Sequence, residues 1–253
     1  MKSSYKINMK AAATLIAAGS FASVHAATVT WDGGGSDGLW TTATNWDGDT
    51  VPVISDTVVI DTAVAVTKAT GFENGLNVTL SNGATVANSS GNVGMGSSTF
   101  NIGSGSSMSG NVFRVWDTTK LVFDDGADIN ANTEFRGTKA GLQFNLGATG
   151  FTTVTAGNLQ FWSGNDLSDV NFTVDLTDYT GGADTFTLID WTNGSGSQAL
   201  LDGANQTITG GSGNLIWDDT NKAIQLNIAA VPEPSSAALL GLGGLALILR
   251  RRK

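Results

Sequence analysis

The chain has 253 residues, 14% of them charged, with 13 Lys and Arg against 22 Asp and Glu and a formal charge of −9. It has no cysteine and one histidine, His25, so disulfides, thiolate nucleophiles and iron–sulfur clusters are excluded. Without its first 26 residues the chain also lacks an imidazole for a Ser-His-Asp relay, a zinc site or a general base.

The first segment, residues 1–26, places Lys2, Lys6 and Lys10 before the apolar run 11–22 and ends on Val24-His25-Ala26. Positive charge, apolar run and a small-x-small site make a signal peptide read by the Sec translocon, cut between Ala26 and Ala27. Beyond it, to residue 230, six basic residues stand against 21 acidic ones, a balance of −15. Such a body repels nucleic acid and attracts divalent cations. Residues 27–57 hold Trp31, Trp40 and Trp46 in WDGGGSDGLWTTATNWDGD. This stretch resembles the leading segment of β-solenoid repeats in autotransporter-associated and PEP-CTERM proteins. Its indoles either close the N-terminal end of the core or form a platform for glycan contact.

Residues 58–168 repeat. Val78, Leu80, Gly83 and Val86 share their offsets with Phe100, Ile102, Gly105 and Met108, 22 residues on, and with Leu121, Phe123, Gly126 and Ile129, a further 21 on. The template extends upstream to Val58, Ile60, Ala63 and Val66, and downstream to Leu142, Phe144 and Gly147, then after a step of 17 to Leu159, Phe161, Gly164 and Leu167. Each unit reads as an apolar-x-apolar strand, a turn at Gly and a third inward residue. A second inward strand follows in Val112-Phe113-Arg114-Val115 and Thr133-Glu134-Phe135. Units of near-constant length predict an all-β fold, a short right-handed parallel β-solenoid of about six coils rising about 24 Å. The alternative is an antiparallel β-sandwich of hairpins. Residues 169–230 lose the step and read as a C-terminal β cap.

Asp124, Asp125 and Asp128 fall in the turn of one unit, with Arg114, Arg136 and Lys139 expected near similar positions of neighbouring coils. Stacked coils would make these a Ca²⁺-assisted β-helix lyase, with carboxylates holding the ion and a cation removing a proton, or merely a solvated acidic turn. Glu73 and Glu134 are the only glutamates of the body, and no local pattern pairs them for glycoside hydrolysis. Asp37, Asp47 and Asp49, and Asp175 with Asp178, are candidates for weak structural Ca²⁺. No catalytic residue and no resident metal is assigned.

Residues 231–253 form the tail: Pro232-Glu233-Pro234, an apolar run from Ala237 to Leu249, then Arg250, Arg251, Arg252 and Lys253. Thirteen helical residues rise about 20 Å, short of a roughly 30 Å hydrocarbon core, so the tail suits transient membrane anchoring with its basic end inside. The order of its parts resembles a PEP-CTERM sorting signal. That resemblance implies recognition by an exosortase-type membrane transpeptidase, removal of the tail, and delivery to the cell surface or an exopolysaccharide matrix. The expectation is an exported, non-catalytic structural or adhesive protein of that location. The alternatives are a polysaccharide lyase and a carbohydrate-binding module on the three tryptophans.

Overall fold

A computed structural model describes residues 26–229 apart from Ser90, Thr138 and Ser163; residues 1–25 of the expected signal peptide and the tail from residue 230 lie outside these described residues. Strands form wherever Val, Ile, Phe and Thr alternate with small polar residues, because that pattern covers one face of a pleated sheet with apolar groups. In chain order they are β1 (Thr28–Thr30), β2 (Thr57–Ile60), β3 (Ala65–Lys68), β4 (Asn77–Leu80), β5 (Thr85–Asn88) and β6 (Asn92–Gly96). Then come β7 (Thr99–Ile102), β8 (Ser107–Trp116), β9 (Lys120–Asp124), β10 (Asp128–Phe135), β11 (Gly141–Asn145) and β12 (Val154–Phe161). The last are β13 (Asn171–Asp175), β14 (Asp184–Gly194), β15 (Asn205–Thr209), β16 (Gly213–Asp218) and β17 (Ala223–Ile228), with a short helix α1 (Gln198–Gly203) before β15.

The first sheet runs β1-β2-β4-β7-β9-β11-β13-β15, and the second runs β16-β17-β14-β12-β10-β8-β5-β3 with β6 beside β8. Each circuit of the chain therefore lays a strand in one sheet and then in the other. Pairing is parallel throughout the first sheet and in the second from β3 to β14. Among the strands of the described residues, antiparallel pairing is confined to β17 with β14 and β16. The hairpin sandwich does not occur, since parallel neighbours cannot be joined by a tight turn and the opposite sheet supplies the crossover.

The inward positions stack as ladders. Val58, Val78, Phe100, Leu121 and Leu142 are mutual register partners, as are Ile60, Leu80, Ile102, Phe123 and Phe144. On the facing sheet Val66, Val86, Met108 and Ile129 do the same. All are buried, each contributing about 1.5–3 kcal/mol of apolar transfer. Between the two sheets the chain turns at Gly83, Gly105 and Gly126, whose φ values of 81°, 72° and 83° lie in the left-handed region that glycine enters most cheaply.

The ladder departs from the template after Phe144. Its next partners are Phe172 and Val174, then Gln206 and Ile208. Leu159 and Phe161 instead belong to β12 of the second sheet, opposite Thr133 and Phe135 of β10. Parallel pairing thus runs through the boundary drawn at residue 168. The circuits lengthen here because residues 146–153 and 162–170 make excursions outside the strands, Leu167 being buried in a 3-10 turn.

At the N-terminal end the open edge of β3 is occupied by a loop, with Trp40 N donating to Thr67 O and Thr67 N to Gly38 O. This satisfies backbone groups that would otherwise recruit another chain. β1 is held by Asp56, a buried carboxylate that accepts from Ala27 N at 2.9 Å and Val53 N at 2.8 Å.

Candidate functional site

Trp31, Trp40 and Trp46 form an edge-to-face cluster, with centroids 4.9 and 4.8 Å apart, that continues through Phe72 to Phe100. None is more than 4% exposed, and Trp46 Nε1 donates to Trp40 O at 2.7 Å. Buried indoles have no face for a sugar ring, so the three close the core and the glycan platform does not lie here. Asp37 staples the loop around them, accepting from Thr42 Oγ1, Leu39 N and Asn45 Nδ2. Those bonds, Thr42's foremost, hold its pKa below the usual aspartate value. Asp47 and Asp49 are exposed turn residues.

Beneath the cluster Lys68 is 1% exposed, its Nζ 4.7 Å from the Trp40 ring centroid and 3.2 Å from Glu73 Oε1. Burial pushes its pKa below the ordinary lysine value, with Glu73 acting against the shift.

Four of the predicted aspartates do meet. Asp124, Asp125, Asp175 and Asp178 line one groove of about 420 Å³ at the C-terminal ends of β9, β11 and β13, with Asn145 the register partner of both Asp124 and Asp175. Three of the four accept hydrogen bonds at Oδ1: Asp124 from Asn145 Nδ2, Asp125 from Thr152 N and Oγ1, and Asp175 from Thr177 N and Oγ1. The Thr177 bonds lower the Asp175 pKa. Asp128 accepts from Ile129 N and Thr155 N. Among the described residues no group of three or more His, Cys, Asp or Glu is placed to hold a metal ion.

The cations of the expected lyase sit elsewhere. Arg114 Nε and Arg136 Nε reach Glu134 Oε2 at 3.1 and 2.9 Å, and Arg136 Nη2 reaches Oε1 at 3.1 Å. Arg114 lies in β8, Glu134 in β10 and Arg136 directly after β10, all on the second sheet's side, whereas Asp124 ends β9 of the first. Lys139 is exposed in the turn after them. The carboxylates and cations are therefore not assembled into a lyase centre, and both glutamates are paired with cations.

Sequence reasoning missed a different constellation. Val115, Phe135 and Phe161 are successive register partners, so the residues that follow them, Trp116, Arg136 and Trp162, come one above another. The Arg136 guanidinium carbon lies 5.2 Å from the Trp116 ring centroid and 4.1 Å from that of Trp162. The indoles are 38% and 51% exposed. The readable signal was the repeated phrase of an inward apolar residue followed by a large planar side chain: Val-Trp, Phe-Arg, Phe-Trp.

Residues 230–253 match the PEP-CTERM protein-sorting motif. No curated protein and no solved structure matches the chain. The motif covers Pro232, Glu233, Pro234, Arg250, Arg251 and Arg252, all outside the described residues. It marks an exported protein that is targeted to exosortase and transiently anchored in the membrane by its tail. Among the described residues no helix is long and apolar enough to cross a membrane.

Proposed function

We propose that the chain is a non-catalytic structural or adhesive protein of the cell surface or exopolysaccharide matrix, its body a β-solenoid delivered there by exosortase. The sorting motif at residues 230–253 carries this reading. The body supports it: two parallel sheets present rows of Asn, Thr and Ser outward, a surface suited to many weak contacts. Beyond residue 26 the chain holds neither histidine nor cysteine, which withholds imidazole and thiolate chemistry from the body.

Fractionation tests the tail. A chain ending at Ala230 is expected in the soluble exported fraction, while the full chain passes through the membrane fraction and loses mass from its C-terminal end. Pro232→Ala with Glu233→Ala and Pro234→Ala is expected to keep the tail attached. A truncated chain still held in the membrane would contradict the reading.

A further inference from the structure

We propose that Trp116 and Trp162 form a two-point binding site for an uncharged pyranose chain. The proposal rests on the surface or matrix reading for where such a chain is met, but the binding itself is a property of the folded body. Arg136 fills the space between the two indoles and covers the inner face of each. A guanidinium over an aromatic face fixes both rings without hiding their outer faces. Arg136 is itself fixed from the side by Glu134, so the ladder is rigid before any ligand arrives.

Each outer face borders a groove. On one side the register partner of Trp116 is Gly96, and Gly94 lies below the indole nitrogen, so neither of these two β6 positions sets a side chain against the ring. This groove, about 360 Å³, is completed by Asn74 and Ser97. On the other side Trp162 borders a groove of about 430 Å³ floored by Gly194 and rimmed by Gln160, Asn193 and Ser195. An apolar ring face beside amide and hydroxyl groups matches a pyranose, which has C–H faces and a hydroxyl edge. It does not match a wholly apolar ligand. Two rungs of a parallel sheet separate the indoles by about 9.6 Å, and with Arg136 between them their outer faces look opposite ways along the stack, so a chain that engages both must be longer than a disaccharide and bend over the exposed edges of the rings.

Charge selects among glycans. Arg114 and Arg136 are both paired with Glu134, and the body as a whole carries 21 acidic against six basic residues. A polyuronate would be repelled at long range, whereas a neutral chain would not.

The test is a tryptophan-fluorescence titration of the purified full chain in detergent, with monosaccharides and hexamers of β-1,3-, β-1,4- and α-1,4-linked glucose, and with polygalacturonate. The expected result is a saturable shift with at least one neutral hexamer, which binds at least about tenfold more tightly than its monosaccharide. Trp116→Ala and Trp162→Ala are each expected to weaken it about tenfold, with the two Phe variants intermediate. Because both indoles are exposed, the variants should melt like the parent, and the Phe pair keeps the test alive should an Ala variant fail to fold. No saturable shift with any neutral hexamer, unchanged affinity in both Ala variants, or saturation by polygalacturonate alone would overturn the proposal. The fractionation experiment is blind to ligand and this titration is blind to location, so either reading can fail without the other.

Discussion

Lys68 shows how one residue ties the N-terminal closure to the repeats. Its ammonium lies among Trp40, Phe72 and Glu73 with almost no exposure. Because burial lowers its folded-state pKa below 10.5, the unfolded chain binds the proton more readily than the folded one. Stability should therefore rise as pH climbs from that lowered value to 10.5. Urea melts across this window should show the rise in the parent and lose it in Lys68→Met. The Met variant should be at least as stable at neutral pH, since a thioether fills the aromatic box without a desolvated charge. A Met variant with the same alkaline rise would assign it to another group.

At the scale of the strand and its turn, two predictions separate backbone from packing. A Cβ at Gly105 would meet nothing within 4 Å, so Gly105→Ala should cost only the left-handed backbone penalty, about 1–2 kcal/mol. Phe123, wholly buried and 5.7 Å from Phe144 in the ladder, should cost about 3–5 kcal/mol when changed to Ala. Chemical denaturation reads both, and a larger loss at Gly105 would reverse the ranking. The same elements show what was legible. The ladders from Val58 to Phe144 could be read directly, because constant turns keep inward residues at a constant step. Leu159 and Phe161 could not be placed, because an inward apolar pair has the same spacing on either sheet and only the length of the excursion decides which sheet receives it. The Trp116–Arg136–Trp162 ladder stayed hidden for a related reason: its members are neighbours only through register, at unequal separations along the chain. Burial of Trp31, Trp40 and Trp46 is likewise a tertiary fact, since an indole's spacing does not say which side of it is covered.

For the whole molecule, acidity sets the response to solvent. Asp37, Asp175, Asp218 and Asp219 all have folded-state pKa values below 3.8, chiefly through hydrogen bonds they accept. Their contribution is complete above 3.8 and is lost as pH falls through the lowered values. Calorimetry of a chain made without residues 1–26, and so without the lone His25, should find an acid limb below 3.8 and no inflection near pH 6.5. The surplus of 21 acids over six bases also predicts that moderate salt raises the melting temperature by screening self-repulsion.

The bond between Ala27 and Asp56 has a consequence for maturation. In the precursor Ala27 contributes an uncharged amide to that carboxylate. A cut at the predicted site ahead of Ala27 would make the same nitrogen an ammonium and turn a neutral contact into a charge-assisted clasp on the opening rung. Processing would then tighten the very end it has just created. A chain beginning at Ala27 should outlast one carrying extra residues ahead of it by about 1 kcal/mol or more, and Asp56→Asn should erase that difference while weakening both.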